Sequence, residues 1–219
     1  MADTALNEAL NEALNEALNE DQRDALQEVA NMAMGQAATR LSKLLGTFIE
    51  LSVPRVRVVS VAEASAALSE MTGITDTVTA VRQGFRSDIK GEAIVLCKSA
   101  SVEQLCALVD DPYTQSTYEA TTRTELVFDV ATVLMGACVS CILDQLGRSP
   151  IFSPPGMLGE DIGLDEVFQP AMLAWKTALL LEVNFALEDH SFRAHLVMLM
   201  AEDAIAHMNE ALDALLSSL

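Results

Sequence analysis

Positive charge is scarce in this chain. Its 13 lysines and arginines stand against 32 aspartates and glutamates, for a net charge of -19. Binding a phosphate backbone needs a basic footprint, so nucleic acid is not the expected partner. The same deficit argues against an anionic membrane surface. Aromatics are also few, at 5%. The longest uncharged stretch outside the proline-rich turns, Val130 to Leu143, is too short to span a bilayer, and no membrane span is expected. No basic start followed by an apolar run opens the chain, so no signal peptide is expected and the location read from sequence is cytoplasmic. The four cysteines (Cys97, Cys106, Cys138, Cys141) sit in apolar surroundings, as buried thiols of a reducing compartment do. Cys138 and Cys141 form a CxxC inside an apolar helix without a second pair, which reads as core rather than metal ligation. His190, His195 and His207 share no ligand spacing. The chain also lacks a glycine-rich phosphate loop and a Gly-x-Ser-x-Gly elbow.

What the chain has is apolar material: 51% of 219 residues, enough to fold around a core without disulfides. Residues 5–20 repeat ALNE four times. A four-residue period drifts by about 40° per repeat around a helix, so its leucines hold no straight stripe. The segment 1–20 reads as a solvated helical leader or as an oligomerisation or docking arm, and the repeat does not choose between them. The rest, 21–219, reads as one domain.

Asn19 with Gln22 has capping-box spacing. From there Leu26, Val29, Ala33, Ala37, Leu41 and Leu44 recur at threes and fours, which predicts a helix stopped by Gly46. Alternation after Pro54 predicts a strand, and Ala62 to Met71 a short helix. Thr77 to Arg86 and Glu92 to Cys97 read as paired strands, and Val102 to Val109 as a helix. Then the scheme restarts. A long helix is expected from Glu119 to Leu146, and prolines 150, 154 and 155 interrupt the stretch after it. Strands are expected over Ala178 to Leu187 and Phe192 to Met200, and a closing amphipathic helix over Asp203 to Leu216.

Shifting the chain by 101 positions superimposes the two long helices. Ala30 meets Ala131, Met34 meets Met135, Gly35 meets Gly136, Gly46 meets Gly147 and Pro54 meets Pro155. The identities over residues 24–54 exceed the roughly two that chance composition gives. This implies a duplicated unit, with repeat one at about 21–118 and repeat two at about 119–219. On the first long helix Asp24, Glu28 and Asn31, spaced by four and three, share a narrow face opposite the apolar stripe. That face continues into Gly35 and Ser42. A glycine inside a helix costs about 1 kcal/mol against alanine, and here it leaves a flat area where a partner can approach the backbone. Acids in the first turns also suit the helix dipole.

Asp24, three residues, Glu28, two residues, Asn31, then 22 residues and Pro54: this pattern, in the context DALQEVANMAMGQAATRLSKLLG, resembles the CheC/CheX/FliY phosphatases of bacterial chemotaxis. The resemblance extends to the tandem repeat. It implies an α/β fold of the α+β type, with one antiparallel sheet, two long helices packed on it and pseudo-two-fold symmetry. It implies a substrate, the phospho-aspartate of a CheY-like response regulator, and a hydrolase reaction. Asn31 would orient the attacking water and Glu28 would dock the partner's active-site lysine. Asp24 would be a peripheral partner contact or a helix-start residue, Met32, flanking the site, would pack or touch the partner, Gly35 would let the partner approach, and Pro54 would be structural. No cofactor is expected on this chain, the Mg²⁺ being the response regulator's. The second repeat offers Glu125, Asp129 and Thr132, where the hydroxyl of Thr132 lacks the amide's paired donor and acceptor. That site is expected to be dead or to bind only. The same resemblance keeps open a non-catalytic adaptor for a CheD-like deamidase or a flagellar-switch partner, and a homodimer.

Overall fold

A computed structural model describes residues 18–109, 122–169, 177–187, 192–200 and 202–218. The ALNE leader up to residue 17, residues 119–121 expected to open the second long helix, the turn expected at 188–191 and His190 lie outside the described residues.

The first helix, α1 (Glu20–Leu45), begins in the expected capping box. The Gln22 amide N–H donates to Asn19 Oδ1 at 2.8 Å, and the Asn19 N–H donates to Gln22 Oε1 at 3.0 Å. It ends at Gly46, whose φ of 67° suits a residue without Cβ. Next come β1 (Ile49–Leu51), β2 (Arg55–Ser60), α2 (Val61–Thr72), β3 (Val78–Arg86), β4 (Lys90–Lys98) and α3 (Ser99–Val109). The second half runs α4 (Arg123–Gln145), β5 (Ile151–Phe152), β6 (Gly156–Ile162), α5 (Leu164–Val167), β7 (Thr177–Leu187), β8 (Arg193–Met200) and α6 (Glu202–Leu216). Thr122 caps α4, its hydroxyl accepting from the Glu125 N–H, so the helix starts at Arg123 rather than at Glu119. The short strands β1, β5 and β6 stand where prolines and glycines suggested only breaks.

All strands join one antiparallel sheet in the order β1-β7-β8-β4-β3-β5, with β2 also on β7 and β6 also on β3. The 101-residue shift relates every strand of one half to a strand of the other. At the centre Val95 of β4 faces its own counterpart, Leu196 of β8, which puts the pseudo-two-fold axis through that pair. The outer strands are exchanged. β1 and β2 of repeat one pair with β7 of repeat two, and β5 and β6 of repeat two pair with β3 of repeat one. The halves are therefore interleaved parts of one sheet.

One sheet face carries α1, α4 and α6. Leu26, Ala33, Ala37 and Leu41 of α1 and Leu134, Met135 and Cys138 of α4 share a core with Val81, Val95, Phe185 and Leu196. The other face packs Ile94, Leu96, Leu180 and Leu199 under Ala64 and Leu68 of α2 and Val167 of α5. By length and composition α4 passes for a membrane-crossing helix, which the shorter uncharged stretch Val130 to Leu143 had hidden. Yet most of it is buried inside the fold. A helix apolar nearly all round fits such a core position.

Candidate functional site

The apolar stripe of α1 fixes what its opposite side can do. With Leu26, Val29, Ala33 and Ala37 turned into the core, Asp24, Glu28, Asn31, Met32 and Gly35 all lie exposed along the outside. Among the described residues none of Asp24, Glu28 and Asn31 has a side-chain hydrogen bond or ion pair. The fold does not use up these groups, so a carboxylate and, one turn on, a carboxamide stand available to a docked molecule. A Cβ built at Gly35 meets nothing within 4 Å. The glycine therefore answers no crowding inside the chain, and the flat spot faces outward.

Pro54 is buried beside this helix at the break between β1 and β2. Gln27 Nε2 donates to the Pro54 carbonyl at 3.3 Å, tying that break to the helical turn that bears Glu28. The spacing signalled the proline but not this bond, because Gln27 acquires its partner only when the chain folds back along α1.

The second repeat places Glu125, Asp129 and Thr132 exposed on α4, as the shift requires, with open space around Gly136. It differs in three ways. Thr132 replaces the amide. Glu125 and Asp129 each already have an interaction within the chain. Phe128 stands where Gln27 stands and cannot donate to a carbonyl, so the tether to the proline is missing.

Residues 22–58 match the model of the CheC-like family. This stretch holds Asp24, Glu28, Asn31 and Pro54. The helix is CheC-like. The fold is shared with FliY of Thermotoga maritima, at a TM-score of 0.68 and 20% identity, covering 90% of this chain and 98% of that one. It is shared also with a chain of the FliG–FliM complex from H. pylori, at a TM-score of 0.60 and 8% identity, covering 86% of this chain and 100% of that one. The FliM middle domain from H. pylori gives a TM-score of 0.58 at 6% identity, covering 89% of this chain and 99% of that one. A CheC-like motif helix on a FliY-like fold is consistent with a protein of the CheC/CheX/FliY family.

Two polar groupings lie apart from the CheC-like face. On the opposite sheet face Glu182 is fully buried. It accepts from Arg55 Nε at 2.9 Å and lies 2.7 Å from His195 Nδ1. Burial raises its pKa, but the hydrogen bonds and charges of His195 and Arg55 outweigh that and hold it below the usual carboxylate range. A glutamate inside the apolar run ALLLEVNFAL was its only sequence signal. Cys138 and Cys141 are buried free thiols in the α4 core, and burial pushes the Cys138 thiol strongly up, so it stays protonated.

Proposed function

We propose that the chain is a protein phosphatase that hydrolyses the phospho-aspartate of a CheY-like response regulator, with Glu28 and Asn31 as its working pair. The observation that carries this reading is the exposed, internally unpaired carboxylate and amide one turn apart on the CheC-like helix, beside an open glycine.

An acyl phosphate is already activated, and no covalent nucleophile is required. Catalysis reduces to holding a water in line with phosphorus. The Asn31 amide can accept from that water through its carbonyl and donate through its NH₂, much as a glutamine positions water in small GTPases. Fixing one water and one approach direction is a proximity effect. Glu28 supplies a carboxylate for the partner's active-site lysine, which sets the register of docking. Mg²⁺ belongs to the partner and would neutralise its phosphoryl group. Asp24 and Met32 flank the contact and Gly35 lets the partner approach the backbone. A cytoplasmic location follows from this role.

The test mixes the protein with Mg²⁺ and a phosphorylated CheY-like receiver. Asn31→Ala is expected to retain fold and binding and to abolish accelerated dephosphorylation. Wild-type rates in that variant would refute the assigned role. A second reading, a non-catalytic binding module for a flagellar-switch or deamidase partner, is favoured by the likeness to FliM chains and by the degenerate Thr132 face. It predicts binding of such a partner with no hydrolysis by wild type.

A further inference from the structure

The row Asp24, Glu28, Asn31, Gly35 continues along α1 to Thr39 and Ser42. There a groove of about 440 Å³ opens between the helix and the edge strand β1, lined by Ala38, Thr39, Ser42, Lys43, Phe48 and Leu51. Its wall is unusually apolar for an outer surface. Phe48 is 63% and Leu51 41% exposed, and Val53 beyond them is 77% exposed. With Met32, these are four of the five large hydrophobic side chains that stand exposed among the described residues, and all flank α1. Clustered exposed apolar groups on a soluble fold mark interaction surfaces. Lys43 lines the groove, and Arg40, one turn before it, lies near Cys141 of α4. Among the described residues neither has an ion pair, in a chain of net charge -19.

The second repeat is an internal control. Where repeat one has Lys43, Phe48, Leu51 and Val53, repeat two has Asp144, Ser149, Phe152 and Pro154. Phe152 is only half-exposed, and the cation has become an acid. Repeat two thus lacks the groove cation and the counterparts of Phe48 and Val53, and its own exposed apolar residue, Ile151, stands where repeat one has Glu50.

We propose that this groove is a second docking site for the same receiver partner, taking a segment of it with a carboxylate and a large apolar side chain. The inference rests on the phosphatase reading for the partner's identity. Its own content is that affinity resides in the groove while the reaction resides about two to three helical turns away. It also accounts for how so acidic a chain approaches a partner whose active site is itself acidic: Lys43 supplies local attraction in the groove where the net field repels.

The experiment titrates the full chain with a beryllofluoride-activated CheY-like receiver and measures hydrolysis with the phosphorylated one. Lys43→Asp and Phe48→Ser install the second repeat's own residues at exposed positions. Each is expected to weaken binding by about tenfold and to raise KM alike, with kcat at saturation unchanged. Lys43→Arg should bind as wild type does, which excludes a folding defect as the cause. Equal affinity of wild type, Lys43→Asp and Phe48→Ser would overturn the groove while leaving the phosphatase standing. Absence of both binding and hydrolysis in wild type would overturn the receiver reading and this occupant with it. Asn31→Ala, binding normally without turnover, separates the two sites.

Discussion

Asn31 and Gly35 contribute to the surface in opposite ways, one by what it presents and one by what it omits. Glu28→Gln removes the docking charge but not the amide, so KM should rise with kcat nearly kept, the reverse of Asn31→Ala; steady-state kinetics on the phosphorylated receiver distinguish them. Gly35→Ala has open space for its methyl group. It should stabilise α1 by about 1 kcal/mol, read from denaturant unfolding. Gly35→Leu should fold equally well and yet obstruct the partner, which a binding titration detects. Thr132→Asn restores an amide on α4 without the proline tether, so any gain in hydrolysis should stay far below that of the first face. The positions of Glu28 and Asn31 were legible because helical spacing alone projects them outward. Gln27 was not, because its partner Pro54 is brought alongside by tertiary folding.

At the scale of elements, long periodic segments could be read and short ones could not. The capping box of α1 and the glycine stop at Gly46 rest on local chemistry and appear in the structure where the spacing puts them. β1 and β5 are three and two residues long. Such strands are defined by the neighbour they pair with, and their own residues carry too little alternation to announce them. β6 contains two glycines and shifts register against β3, which erases its alternation as well. The edge strand β2 is joined to β7 by the Arg55–Glu182 pair, reinforced by His195. The depressed pKa of Glu182 means that the folded state holds the carboxylate ionised more strongly than the unfolded chain does. That contribution is complete above the unfolded value near 4.5 and is lost as pH falls through the lower folded value. Glu182→Gln should therefore cost about 3 kcal/mol at neutral pH, leaving His195 and Arg55 without their acid, and should flatten the acid limb of stability below pH 4.5. Thermal melts across that range check both.

For the molecule as a whole, the exchanged edge strands decide what counts as a unit. The repeat was legible from superimposed residues, but neighbouring copies and interleaved copies predict the same identities. Only the pairing of β2 with β7 and β6 with β3 separates the two. A fragment ending at residue 118 leaves β3 without β6 and β4 without β8, exposing apolar strands such as Val78–Arg86. Neither half alone should show a cooperative melt, whereas co-expressed halves should recombine into a species that melts as the intact chain does; circular dichroism of the three samples checks this. Two separate half-length chains trading edges across a true axis would build the same sheet, and their folding would depend on concentration. Fusing them end to end makes assembly unimolecular and, because the twin faces need no longer be identical, lets Thr132 and Asp144 drift on one side while Asn31 and Lys43 specialise on the other.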